Sequence, residues 1–308
     1  MSYTQYHVSC GVTLASGSVG FYNGGLVMIR LLNDQDKQMI LEYLHRNEIE
    51  TSFLYANVVE FGVENRKDNR RCADYFGFFK GGNLAGILPF YNLGSCIPHY
   101  ETQDAITPFI NLIQERNTEF LMGMDRIIRP IYQCIKETKD IVECNESSYF
   151  VNKDFKPHNV RGIKFIDPQQ MADDKGVIEF IIRVRNNGFH ESVSYDDVKN
   201  SLTITSHEAD KVIAVKDGKM VAYANIQTYT DTINQIGSVY TEEEERGKGY
   251  CKAVVSELCK RIILRKKMPT LFVRKNNIPA VKAYSALGFE HFDDYLFIKL
   301  NADNPDSP

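Results

Sequence analysis

Two glycines bracket a lysine at Gly247-Lys248-Gly249, between an apolar run and an amphipathic one. The local pattern predicts a strand over Ile236 to Thr241, a tight turn over Arg246 to Gly249, and a helix from about Lys252 to Arg265. Ala253, Val254, Leu258 and Ile262 give that helix one apolar face. A turn at a helix start points several backbone N–H groups at one place, and the positive end of the helix dipole favours negative charge there. Gly247 and Gly249 add no side chain that would hold a bulky anion away. The chemistry implied is binding of a phosphate or pyrophosphate. Two common versions are excluded. A phosphate loop of the G-x-x-x-x-G-K-[S/T] kind needs Ser or Thr after Lys248, where Gly249 stands, and a dinucleotide turn needs a third glycine where Lys252 stands.

Arg246-Gly-Lys-Gly-Tyr-Cys251 instead resembles the R/Q-x-x-G-x-G/A signature of the GNAT acyltransferase superfamily. Downstream, Asn277-Ile-Pro-Ala280-Val-Lys-Ala-Tyr284-Ser-Ala-Leu-Gly288-Phe289 resembles the same family's N-x-x-A-x-x-x-Y-x-x-x-G-F. A predicted strand at Thr270 to Val273 lies between the two motifs, as that fold requires. Gly237-Ser-Val-Tyr-Thr241 is similar to the subgroup of glycine N-acyltransferase-like proteins and tandem-lobed relatives such as mycothiol synthase. The resemblance spans residues 162 to 300.

The resemblance implies acetyl-CoA as co-substrate and a site built as follows. Backbone of Val239, Tyr240 and Thr241 pairs with the pantetheine arm as an added strand would. Backbone N–H groups of Gly247, Lys248, Gly249, Tyr250, Cys251 and Lys252 surround the pyrophosphate, with charge added by Arg246 and Lys248. Asn277 binds the pantetheine arm or a bridging water, although Asn also suits a helix N-cap. Tyr284 is the catalytic candidate. Attack of an amine on a thioester expels a thiolate whose parent thiol has a pKa of about 8.5, and a phenol near the sulfur can protonate it. Ala280 and Gly288 read as packing and turn positions.

Two parts of the chemistry stay open. Cys251 stands where Gly or Ala is usual, and a thiol at a helix N-terminus is expected to have a lowered pKa, which raises a rival nucleophilic role. The general base is not assigned. Some family members place a Glu on the following strand, five residues before the motif Asn, but here that position is Phe272. Glu242 to Glu245 form an acidic run beside the turn, expected as a solvated loop from which Glu242 alone reaches the site. His190, Glu191 and His207 lie in segments that usually shape an acceptor pocket. A water-mediated base, or capture of the free amine, also serves.

The elements that position this site recur along the chain. Val212 to Ala224 reads as a hairpin turned at Asp217-Gly218, and Tyr75 to Leu88 has the same shape, with Lys80 and Lys216 in matching places. A strand and a helical region precede each hairpin, which suggests duplication of one α/β lobe. Where the phosphate turn would fall in the first copy, Thr102 to Ile110 has no glycine turn. The expected fold class is therefore α/β, an α+β mixed sheet, as tandem GNAT-like lobes with the N-terminal one degenerate. The expected division is a leader over 1–27, excluded from the fold, a degenerate lobe over 28–155 and an acetyltransferase domain over 156–308.

Composition narrows the setting. The 308 residues are 43% hydrophobic and 25% charged, with net charge −4, so no basic footprint for nucleic acid or an anionic membrane is present. No apolar run approaches the roughly 18 residues of a membrane span. Seven cysteines without a C-x-x-C pair suggest neither a disulfide framework nor a metal site, and a reducing cytoplasm is the simplest compartment. The expected activity is transfer of an acyl group, acetyl first, from coenzyme A to a small amine or amino-acid-like acceptor. A protein N-terminus as acceptor, or a non-catalytic acyl-CoA-binding sensor or scaffold, is the alternative. Homodimerisation is left open.

Overall fold

The computed structural model describes residues 19–22, 25–203 and 210–301. In chain order the first elements are β1 (Val19–Tyr22), β2 (Gly25–Leu31), α1 (Lys37–Arg46), α2 (Glu48–Phe61), β3 (Ala73–Lys80), β4 (Asn83–Tyr91), β5 (Ser95–Cys96) and β6 (His99–Tyr100). They are followed by α3 (Ile106–Gln114), β7 (Phe120–Met124), α4 (Asp125–Ile135) and β8 (Ile141–Asn152). The second series is β9 (Ile163–Ile166), α5 (Lys175–Arg183), α6 (Tyr195–Thr203), β10 (Lys211–Lys216), β11 (Lys219–Tyr229) and β12 (Ile233–Thr241). It ends with α7 (Tyr250–Leu264), β13 (Met268–Arg274), α8 (Ile278–Ser285) and β14 (Phe289–Leu300). Two compact units result, one of residues 1–146 with 294–308 and the other of residues 147–293.

The two units repeat one plan, and the repeat is visible at single residues. In the first, β2 pairs antiparallel with β3, and β3 with β4. In the second, β9 pairs antiparallel with β10, and β10 with β11. Both hairpins turn on two residues of positive φ, Gly81 and Gly82 in one, Asp217 and Gly218 in the other. That geometry matches the right-handed twist of the flanking strands. Each hairpin then carries a register slip at the same distance from its turn, Phe78/Phe79 in one and Ala214/Val215 in the other. A bulge of this kind is positional, so two at equivalent places support duplication of one lobe.

The sheet of each unit is completed by part of a long strand, β14 in the first and β8 in the second. In the first unit β7 pairs antiparallel with Tyr295–Lys299, the end of β14. In the second, β13 pairs antiparallel with Ser147–Val151, the end of β8. The sequence reading put a single boundary at 155/156; by contacts the chain divides at 146/147 and again at 293/294. At the start, the strand expected from Met28 begins at Gly25 and pairs with Val19–Tyr22, so part of the segment excluded as a leader takes part in the fold.

The second unit packs in three layers. One sheet face, with Val212, Ala214, Ala222, Ala224, Ile226 and Ile236, lies against Val254, Leu258 and Ile262 of α7. The other face, with Ile213, Tyr223 and Tyr240, lies against Val177, Ile178 and Phe180 of α5 and Val198 and Leu202 of α6. Period-two alternation on the strands and the i, i+4 stripe on α7 account for this arrangement. In the first unit the counterpart of β12 is split into β5 and β6, both antiparallel to β4, and α3 begins without a glycine of positive φ near it among the described residues. That lobe keeps the frame and lacks the cradle.

Gly288, expected as a turn residue, has φ +89, and a Cβ there would lie 1.9 Å from the Asp154 carbonyl oxygen. The adjoining Leu287 carbonyl accepts from Lys156 N at 2.9 Å and Asn152 Nδ2 at 3.0 Å, so the turn after α8 is clamped to the start of the unit. Gly288→Ala therefore forces backbone apart and strains φ, and should cost more than about 2 kcal/mol of stability. A melting curve of the variant superimposing on that of the parent would refute this.

Candidate active site

The site originates in strands that part. β12 and β13 pair in parallel over three positions only, Ile233↔Met268, Asn234↔Pro269 and Gln235↔Thr270. Beyond them β12 stays with β11 and β13 stays with the end of β8. From Ile236 to Thr241 the edge of β12 that faces β13 has no strand partner among the described residues. A bulge accompanies the parting. Between Asn225↔Gly237 and Tyr223↔Tyr240, β12 advances one residue more than β11, with Ser238 at φ +48. A Cβ at Gly237 would meet the Gln227 side chain, which would have to swing away. Val239, Tyr240 and Thr241 follow the bulge on that edge.

The gap leads to the start of α7. Glu243–Glu245 form one 3-10 turn, Gly247 and Gly249 take φ +78 and +85, and the helix begins at Tyr250. The first helical bond outside the cap is Ala253 N–H to the Gly249 carbonyl at 3.0 Å. The six N–H groups of Gly247, Lys248, Gly249, Tyr250, Cys251 and Lys252 lie ahead of it, as expected for an anion cradle. Open space surrounds Gly247.

The side chains of the turn are more engaged than the sequence reading allowed. Lys248 Nζ pairs with Glu245 at 2.8 Å, and Arg246 pairs with Glu243 at 3.7 Å while its Nε donates to the Thr241 carbonyl at 3.4 Å. The acidic run, expected as a solvated loop, thus holds the two cations beside the cradle. Glu242 accepts from the Tyr240 hydroxyl at 2.9 Å and from Arg183 Nε at 3.5 Å, which ties the carboxylate considered as a base. Glu191 accepts from Arg185 Nε at 2.6 Å, and His190 beside it is exposed. His207 falls outside the described residues. Phe272 on β13 is partly exposed.

Tyr284 is brought to the other side of the gap. It lies on α8, buried, in one apolar cluster with Phe150, Val254, Leu271 and Val273, and its ring meets Phe289 edge-on at 6.0 Å. Its hydroxyl has no hydrogen-bond partner among the described residues. Burial, with the Cys251 thiol nearby, holds the phenol well above its ordinary pKa of 10. The group therefore carries its proton throughout the physiological range. Asn277 caps α8, its Oδ1 accepting from Ala280 N at 3.3 Å, which is the structural role weighed for it above.

Cys251 corrects an expectation. A helix N-terminus lowers a thiol pKa, yet burial here pushes Cys251 up to about 11, with Lys252 opposing weakly. Desolvation of the thiolate outweighs the dipole. A residue missed in the sequence is His158. A Cβ on Gly249 would lie 3.1 Å from its Nε2, so the ring backs the cradle directly. Its backbone N–H donates to Ser256 Oγ on α7 at 2.9 Å, and burial followed by Lys252 lowers its pKa below 6.5. Nothing in Pro157-His158 marks this in sequence; the contact is made by folding alone.

Residues 215–298 match the family described as FR47-like protein. Among solved structures, the chain is similar to a GCN5-related N-acetyltransferase from Sphaerobacter thermophilus (TM-score 0.64, 13% identity, covering 91% of this chain and 98% of that one). It is similar also to a GNAT-family acetyltransferase from Colwellia psychrerythraea (TM-score 0.54, 14% identity, covering 89% and 99%). A third is a tandem GNAT protein from the clavulanic acid biosynthesis pathway (TM-score 0.53, 13% identity, covering 91% and 100%). No curated protein matches the sequence. The fold is the GNAT fold in tandem, with the FR47-like match in the lobe that carries the cradle. Among the described residues no group of three His, Cys, Asp or Glu is placed to hold a metal ion, and no helix is long and apolar enough to cross a membrane.

The raised thiol pKa has a direct consequence. In the native protein at pH 8, iodoacetamide should leave Cys251 unmodified while labelling it fully after denaturation, as read by peptide mass spectrometry. Rapid native labelling of Cys251 would show an activated thiol and reinstate the nucleophilic role.

Proposed function

We propose that the second unit is an acyl-CoA-dependent N-acyltransferase, acting with acetyl-CoA on a small amine or amino-acid-like acceptor. The observation that carries this reading is the parting of β12 and β13 toward six N–H groups that, like the protonated Tyr284 phenol, have no partner among the described residues. A long ligand with an anionic end and amide-bearing middle fits such a cleft: the N–H groups of Gly247 to Lys252 take the pyrophosphate, and the edge of Val239 to Thr241 pairs with the amides. Asn277, which caps α8, is assigned the pantetheine arm or a bridging water.

The thioester supplies an activated acyl carbon and a leaving thiolate. The protein supplies position and one proton. An N–H on the bulged stretch of β12 polarises the acyl carbonyl, a preorganised dipole aimed where charge develops. The amine attacks in a ternary complex, the C–S bond breaks, and Tyr284 gives its proton to the departing sulfur. The phenolate recovers a proton as the cationic nitrogen of the tetrahedral adduct loses one to give the amide, so charge balances. The engaged state of Glu242 and the phenylalanine at position 272 favour an acceptor that arrives as the free amine, with much of the rate coming from alignment.

Acceptor-dependent release of free thiol from acetyl-CoA, across amines, amino acids and short peptides, tests the reading. Tyr284→Phe should lower kcat by about 10²- to 10⁴-fold, the usual worth of general-acid catalysis, and leave coenzyme A affinity unchanged. Unaltered turnover in that variant would remove Tyr284 from the chemistry. The raised phenol pKa sets the pH profile as well. Because Tyr284 stays protonated until well above pH 10, kcat/KM should climb as the acceptor amine deprotonates and should not fall between pH 8 and 10. A descending limb in that window would place a different acid in the reaction.

A further inference from the structure

Gln235 is fully buried at the apex of the gap, and neither its Oε1 nor its Nε2 has a hydrogen-bond partner among the described residues. A buried carboxamide left so carries the full desolvation penalty of a donor and an acceptor. The residue sits in the last register that β12 shares with β13, opposite Thr270, and opposite Thr228 on β11. Cross-strand partners share a face, and both threonines are buried, so the apex is a polar strip inside the sheet. Tyr149 extends the strip, its hydroxyl donating to Thr270 Oγ1 at 3.0 Å. Ile236, one residue on, packs into the α7 core, which places Gln235 on the opposite face. Methionine would fill the same volume without an unmet donor or acceptor, so packing alone gives no reason for a carboxamide here.

We propose that Gln235 is the acyl-selecting residue of this site, favouring a short acyl end whose carbonyl it hydrogen-bonds and rejecting a longer aliphatic chain. The inference rests on the acyl-CoA reading above. A ligand anchored at Gly247 to Lys252 and laid along β12 directs its reactive end from Thr241 toward Gln235, where the strands close together. An acyl carbonyl oxygen arriving there accepts from Nε2–H, and it has a second lone pair for a backbone N–H. The N–H of an incoming amine donates to Oε1. A run of methylenes pushed into the same apex offers neither group and leaves the carboxamide unmet.

Equilibrium binding of coenzyme A, acetyl-CoA and hexanoyl-CoA to the full chain, by calorimetry, tests this. The unaltered protein should bind acetyl-CoA about tenfold more tightly than hexanoyl-CoA, the scale of one buried hydrogen bond. Gln235→Met should erase or reverse that ratio with coenzyme A affinity unchanged, and Gln235→Asn should keep the acetyl preference. An unchanged ratio in Gln235→Met, with coenzyme A still bound, would sink the role of Gln235 and leave the acyl-CoA reading standing. Should Gln235→Met not fold, the unaltered protein decides: equal affinity for the two thioesters overturns the proposal. Failure to bind coenzyme A or either thioester would overturn the acyl-CoA reading and this inference together.

Discussion

Three residue pairs hold β12 to β13, and the rest of the second unit depends on that ladder stopping where it does. A parallel pair that continued would satisfy its backbone and leave no gap. Here a bulge at Gly237-Ser238 turns β12 away while β13 remains with the end of β8, so six residues of strand edge go unpaired. Unpaired backbone inside a fold costs free energy unless something meets it. α7 spans the divergence, its apolar stripe set against β11, β12 and β13, and its first turn faces the open end. The gap, the cradle and the placement of Tyr284 are thus consequences of one interrupted ladder.

The first unit shows the same frame and a similar interruption: β5 pairs in parallel with β7 at two positions only, while β6 stays with β4. It keeps the hairpin, the two positive-φ turn residues and the equivalent register slip. Its counterpart of β12 is split into β5 and β6, both paired with β4, and its helix there starts from Thr102-Gln-Asp-Ala rather than a glycine turn. The difference at the cradle therefore lies in the replaced turn, while core residues such as Phe78, Ile87 and Phe109 stay fully buried.

Much of this was legible in the chain because its causes are local. Gly247 and Gly249 announce a turn whose φ values only glycine adopts easily, and Asp217-Gly218 announces a hairpin. The α7 stripe and the frame of Asn277 to Phe289 are periodic and short-range. What escaped reading is long-range. The pKa of Cys251 depends on a core assembled from β8, β13 and α8, so the local dipole argument pointed the wrong way. His158 meets Gly249 only through the fold, and the acidic run proved to be the partner of Arg246 and Lys248. Gln235 reads in sequence as one polar residue in a strand; its isolation is evident only when its neighbours are in place.

The reciprocal use of β8 and β14 bears on how the protein is made. Synthesis runs from the N-terminus, so β7 is complete long before Tyr295 to Lys299, the residues that pair with it, leave the ribosome. Until then β7 presents an open edge, the kind of surface that recruits stray strands. That edge of the first lobe is therefore met only by residues that follow the whole of the second unit in sequence.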